Sequence, residues 1–434
     1  MNTLQSTTLV KEFAAHKIQA AIDTAQLIGS QDHPFEESKK ALIQVQLQLE
    51  NLLHRINRPN TSDLLLRQYC KRALQELTEI IPLIGFIERS TDVTGPVEFF
   101  GPFSRITKKL LGEDAKLILS STWQFYPHTI IYPDQVVGVA NCVFVGFPVS
   151  ESDNAFLTPL AAHELGHNIW QQQRFEERLK PKIGEAVAQI LESEFKDKLT
   201  NNFKIALSSP NDLVGQASWY PAYLWASKQL EECFCDFLGG YLFGPSYLYA
   251  FAHFSSPGMD GGDPKYPPSI KRYSYLLDAA KEMNWDLRSE MTQELFDVAS
   301  RTAGVDANQS TAVFLDIADK AREGLVLEIR ELARSVVEES GLLFNQTGIH
   351  DIKKQFNAGL PCCNSSSVAL ICNAGWELFI EGMLAGKSKS MLGFNSQEVS
   401  KLVNELMLKS FEIIEIETAI KEQTECSTQL PLAN

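Results

Sequence analysis

The residues of this sequence with the most chemistry in them are His163, Glu164 and His167. They stand in the run Leu157-Thr158-Pro159-Leu160-Ala161-Ala162-His163-Glu164-Leu165-Gly166-His167-Asn168-Ile169-Trp170. On an α-helix, positions i and i+4 share a face, so the two imidazoles can grip one ion. Neutral imidazole nitrogens bind zinc at roughly 2.0–2.1 Å. Glu164, one residue round the helix, would be held near a zinc-bound water without ligating the metal, where a carboxylate serves as general base. With His at roughly 2% and Glu at roughly 6% of positions, a random chain of this length carries H-E-x-x-H about once in a hundred. Every other residue from Asn154 to Asn168 is uncharged, Pro159 stands where a helix can begin and Thr158 where it can be capped. A buried helix is therefore expected, and burying His, Glu and His together without a metal is costly.

Two histidines do not complete such a site, since catalytic zinc typically takes three protein ligands and a water. The residues after His167 are Asn168-Ile169-Trp170-Gln171-Gln172-Gln173, with no third histidine at short spacing. That excludes the metzincin arrangement. A glutamate from a separate helix is the other common solution, with an acidic residue one turn later to hold a ligand imidazole from outside. Glu232 and Asp236 stand four apart and fit, whereas Glu231 has Cys235 at that offset and fits less well.

His163-Glu164-x-x-His167 followed by Glu232-x-x-x-Asp236 resembles the gluzincin metallopeptidases, the clan that includes thermolysin. The resemblance runs from the strands near 116 to the helix near 280. It implies a zincin-like core with Zn2+ on His163, His167 and Glu232, Glu164 as general base, and Asp236 supporting a ligand histidine. Such enzymes stabilise the oxyanion with a downstream His or Tyr, for which His253, Tyr247, Tyr249, Tyr266 and Arg272 are the candidates. The segment Tyr266-Pro267-Pro268-Ser269-Ile270-Lys271-Arg272 is similar to the proline turn and following arginine of some intracellular gluzincins. The implied activity is zinc-dependent hydrolysis of a protein or peptide. The alternative is a non-catalytic regulatory or binding protein that keeps a structural zinc site; an intact Glu164 favours the enzyme. Cys233 and Cys235, two apart on a helix, point to different sides and read as small buried hydrophobes. Cys362-Cys363 with Cys372 lacks the paired spacing of a structural zinc site.

The elements that must position these residues are mostly helices. Apolar residues recur at three and four from Leu9 to Ile28 and from Glu36 to His54, and Asp63 to Phe86 follows the break at Arg58-Pro59-Asn60-Thr61-Ser62. Residues 1–90 thus read as a helical region. Composition changes at 91–96, and Lys116–Ser120, Gln124–Tyr132 and Cys142–Phe147 are strand candidates, with Pro127 and Pro133 demoting the middle one to an edge or a broken strand. Val143–Phe147 is read as a core strand or, if exposed, as an edge to which an extended peptide could add. Arg174 to Lys198 is a charged helical face. Phe237 to Met259 carries no Asp, Glu, Lys or Arg, but its glycines and prolines divide it into two buried helices joined at Gly244-Pro245 rather than one membrane span. Gln309–Glu339, Val368–Leu384 and Ser396–Glu422 read as further helices, with an irregular connector from Gly348 to Ser367. The class is mostly α with a small β-sheet (α+β), divided into a helical region at 1–90, a catalytic domain at 91–290 and a helical region at 291–434.

At 434 residues, 44% hydrophobic and 21% charged, the chain can bury a large core. Its 39 Lys and Arg against 54 Asp and Glu give −15, which argues against nucleic acid or an anionic membrane as partner. Eight cysteines without a regular framework, and no apolar N-terminal run, point to a reducing cytoplasm. The long helical flanks raise the expectation of a latent or narrowly specific enzyme, controlled by access to the site or by a regulatory partner protein.

Overall fold

A computed structural model describes residues 3–33, 35–59, 61–90, 97–122, 127–130, 141–148, 151, 153–194, 213–255, 263–287, 309–363, 367–384 and 396–428. The chain divides into two compact units, Met1–Asp153 and Asn154–Asn434. That boundary falls inside the expected 91–290 domain, so the strands belong to one unit and the histidine motif to the other. The fold is mostly helical with a small mixed sheet.

In the first unit, α1 (Thr3–Gly29), α2 (Glu36–Ile56) and α3 (Asp63–Arg89) follow the apolar spacing read from the sequence. Leu42, Val45, Leu49, Leu52 and Ile56 form one stripe along α2 and share a core with Ile18, Ile22, Leu77, Ile80 and Ile84. A further helix, α4 (Val97–Leu111), went unread in the sequence; Phe99 and Phe103, one turn apart, stack at 4.9 Å and are buried. The sheet comprises β1 (Lys116–Thr122), β2 (His128–Ile130) and β3 (Cys142–Pro148) in the order β1-β3-β2. β3 pairs parallel to β1 and antiparallel to β2. It is the central strand, which removes Val143–Phe147 as an edge for peptide addition. Phe86 of α3 meets Phe144 edge-on, and Phe99 of α4 meets Phe147 edge-on. Helices cover both faces, which is why β1 and β3 are continuous apolar runs rather than alternating ones.

The second unit opens with a 3-10 turn, Ala155–Leu160, whose cap is Asn154 through Oδ1 to the Phe156 amide at 3.1 Å. The helix with the motif, α5 (Ala161–Gln172), therefore starts two residues later than expected, and neither Thr158 nor Pro159 begins it. After α6 (Phe175–Glu194) comes α7 (Leu213–Phe243), which buries Ala226, Leu230, Phe234, Leu238 and Tyr241. A helix apolar on most of its surface belongs at the centre of a core, and α5, α6 and α10 (Gln309–Glu339) all pack on it. α7 and α8 (Pro245–Ser255) meet at Gly244-Pro245 as read from the sequence. The remaining helices are α9 (Ser269–Glu282), α11 (Ile349–Asn357), α12 (Val368–Leu384) and α13 (Ser396–Thr428). α11 occupies part of the segment expected to be irregular. The C-terminal helices are built into the unit: the Trp376 indole donates to Phe156 O at 3.0 Å, and Asn404 Oδ1 accepts from the Ala155 amide at 2.7 Å. Together they pin the turn that leads into α5. Among the described residues no helix is long and apolar enough to cross a membrane.

Candidate metal centre

α5 and α7 carry the site, and Gly166 sets how closely they meet. A Cβ at Gly166 would stand 2.9 Å from both Cα and Sγ of Cys235, so a side chain there would force the helices apart. Across this contact His163 Nε2 lies 3.2 Å from Glu232 Oε2, and His167 Nε2 lies 3.7 Å from Glu232 Oε1. Ligands placed tetrahedrally around zinc at roughly 2.0–2.1 Å are roughly 3.3 Å from one another. The Glu232 carboxylate thus brings one oxygen close to each imidazole, at separations near that ligand–ligand distance. Glu232 Oε2 is buried between His163 Nε2 at 3.2 Å and Arg272 Nη2 at 3.6 Å, and once His163 gives up its Nε2 proton the oxygen needs another partner. Glu164 is buried on α5 beside the two histidines, and its charge helps to raise His167, Cys235 and Tyr266.

The far side of each imidazole is held by a carboxylate. His163 Nδ1 is 3.0 Å from Asp236 Oδ1, and His167 Nδ1 is 2.9 Å from Glu231 Oε1. Burial would raise both acids, but the Arg272 charge keeps Asp236, and the His167 hydrogen bond keeps Glu231, below the usual carboxylate range. Ionised carboxylates only accept, so each Nδ1 carries the proton and each Nε2 turns toward Glu232. Burial would likewise lower His163, yet its hydrogen bonds to Asp236 and Glu232 lift it to about 10. His167 is raised as well: burial lowers it, but its hydrogen bond to Glu231 and the Glu232 and Glu164 charges together prevail. A cation arriving between them would therefore displace protons from Nε2.

The two supports differ in depth. Asp236 accepts from Arg272 Nε and Nη2 at 2.6 and 2.7 Å and from the Tyr247 hydroxyl at 2.7 Å. Arg272 lies over the Phe251 ring at 4.6 Å and reaches to 3.6 Å from Glu232 Oε2. Tyr247 stands against Gly239, where an added Cβ would fall 2.3 Å from its ring. Glu231, by contrast, is held by Lys228 Nζ at 2.7 Å, a side chain 41% exposed. With both imidazoles neutral, as metal binding requires, four carboxylates (Glu164, Glu231, Glu232, Asp236) face two cations (Arg272, Lys228), an excess of two negative charges.

No protein-family model, curated protein or solved structure matches this chain.

The geometry alone must then decide between two third ligands. Ligand atoms of His163, His167 and Cys235 also lie within 4.8 Å of one another. Burial raises the Cys235 thiol well above its usual value, and the charges of Glu232, Glu231, Asp236 and Glu164 raise it further. Against burial, the Glu232 carboxylate is held low by its hydrogen bond to His163 together with the His167, His163 and Arg272 charges, so it is already ionised. Glu232 is the better donor.

The five oxyanion candidates separate cleanly. Tyr247 and Arg272 are committed to Asp236. Tyr249 is core, its ring 6.0 Å from Trp376, and His253 is exposed with its ring 5.9 Å from the same indole. Tyr266 is 51% exposed, and its hydroxyl is pushed up to about 12, by burial first and then by the Glu232 charge. Sequence reasoning treated Glu231 only as a rival ligand and did not single out Lys228 or Gln229. The adjacency of Glu231 to Glu232 was the available signal, because neighbours on a helix facing a pair of histidines four apart can serve one each.

Proposed function

We propose that this protein is a zinc-dependent hydrolase of peptide bonds. The observation that carries the reading is the convergence of His163 Nε2, His167 Nε2 and the buried Glu232 carboxylate beside a buried Glu164. Two negative charges in excess suit a divalent ion, and nitrogen and carboxylate donors suit zinc. When bound, zinc would lower the pKa of a water and polarise the scissile carbonyl. Glu164 would serve as the base that accepts a proton from the attacking water and returns it to the departing nitrogen. Asp236 and Glu231 keep the imidazoles in the tautomer that leaves Nε2 free. The proposal includes latency or narrow specificity: slow cleavage of casein by the intact chain would support it, and rapid, unselective cleavage would contradict it.

One observation favours a second reading. If Cys235 joined His163, His167 and Glu232, the site would have four protein ligands and no open position, as structural zinc sites do. Incubating a peptide library with the wild type and Glu164→Gln, with zinc content measured on both, separates the two. Hydrolysis by the wild type alone, with zinc in both proteins, supports the enzyme; zinc in both and hydrolysis by neither supports the closed site.

A further inference from the structure

The segment between α8 and α9 carries Tyr266 in a turn, with the Tyr266 amide bonded to Asp263 O at 3.0 Å. One side chain of α7 ties this turn down: Gln229 Nε2 donates to Pro264 O at 2.9 Å. Gln229 is 0% exposed and lies three residues before Glu232, so the metal-ligating helix itself holds the turn. Its other amide atom is fixed from behind. Gln229 Oε1 accepts from Arg322 Nη1 of α10 at 2.6 Å, which orients the amide so that its NH2 must point at Pro264. Arg322 is itself fully buried, with Asp319 at 2.7 Å and the Tyr275 hydroxyl at 3.2 Å. The partners of this buried guanidinium are Gln229, Asp319 and Tyr275, none of them a candidate metal ligand. A residue holding only packing would serve better as an apolar side chain, since burying a charge is costly.

We propose that Arg322 and Gln229 are positioning residues that hold the 263–268 turn, and with it Tyr266, against the site, where the Tyr266 hydroxyl contacts the substrate. The inference rests on the hydrolase reading for the role of Tyr266, but not for the relay. Tyr266 is half-exposed, and its turn lies between two anchors of the site: Pro264 is held by Gln229, three residues before Glu232, and Arg272, six residues after Tyr266, reaches to 3.6 Å from Glu232 Oε2. Tyr247 and Arg272 have no such freedom, since Asp236 holds both.

Gln229→Glu cuts the relay at one point: the carboxylate still accepts from Arg322 but has nothing to donate to Pro264 O. The new ion pair keeps the variant folded. Amide exchange at Lys265 and Tyr266 should quicken by about tenfold or more in Gln229→Glu and stay unchanged in Tyr266→Phe. Both variants should keep their zinc and lose kcat by about 10–100-fold. The double variant should lose no more than either single one, because both remove the same contact. Unchanged exchange in Gln229→Glu overturns the relay. Faster exchange with undiminished kcat, or additive losses in the double variant, overturns the role of Tyr266. Absence of hydrolysis by the zinc-loaded wild type counts against the hydrolase reading alone, and the exchange result then decides the relay.

Discussion

Each unit of this protein buries a carboxylate under an arginine fork, and the two forks are built for different ends. In the first unit Glu76 takes Arg55 at 3.1 and 2.6 Å and Arg72 at 3.2 Å, but those arginines are 36% and 77% exposed. In the second, Asp236 takes Arg272 with side chains 3% and 11% exposed, and adds Tyr247 and His163. The first pair sits where water screens it and is worth about 1 kcal/mol or less. The second has been desolvated, which costs several kcal/mol per ion unless the geometry repays it. A chain that only needed a core would not build the second pair. What Asp236 gains from the burial is a fixed charge against an imidazole whose other nitrogen faces Glu232.

The sharpest way to break this contrast is to remove the cation from each fork. Arg272→Met leaves Asp236 buried and unpaired, and should destabilise the protein by about 3–5 kcal/mol in denaturant unfolding. A loss below about 1 kcal/mol would put the two forks in one class. Next in size is Asp236→Asn, which should weaken zinc binding by about 10–100-fold in competition with a chelator. Glu231→Gln should fall at the low end of that range, because its other partner is the half-exposed Lys228. Equal losses would show that the depth of the support does not matter.

The pH dependence sharpens the comparison further. His163 is raised from its usual 6.5 to about 10, with burial opposing and the hydrogen bonds to Asp236 and Glu232 prevailing. A group raised in the folded state adds stability that is complete below 6.5 and disappears as pH climbs through about 10. The zinc-free protein should thus lose stability across that window, while its affinity for zinc rises as the competing proton leaves. A zinc affinity flat from pH 6 to 9, roughly the window in which the raised histidines lose their protons, would contradict proton displacement. The smallest effect is expected from Glu76→Gln, about 1 kcal/mol or less with no change in zinc binding.

Much of this arrangement was legible because it depends on spacing within one helix. His163 and His167, and likewise Glu232 and Asp236, need only the helical repeat to share a face. The apolar stripe of α2 and the junction at Gly244-Pro245 were open to reading for the same reason. Partnerships between elements were not, since they depend on how helices cross. That Glu231 serves His167, or that Gln229 links Arg322 to Pro264, follows from the packing of α5, α7, α9 and α10. Tyr247 and Arg272 were visible by type, yet their hydroxyl and guanidinium groups turn toward Asp236. β3 was legible as a strand but not as the central one, because its order in the sheet is set by residues distant in sequence. α11 escaped notice because it is a single short helix, Ile349–Asn357, inside a stretch rich in turn formers.

The account stands or falls on which residues hold a divalent ion. Zinc content by elemental analysis of the purified wild type, Glu164→Gln, Cys235→Ser, Glu231→Ala and Glu232→Ala tests it most directly. We expect about one equivalent per chain in the wild type, in Glu164→Gln and in Cys235→Ser, and a marked loss in Glu232→Ala that exceeds any in Glu231→Ala. Zinc retained in Glu232→Ala and lost in Cys235→Ser would contradict it.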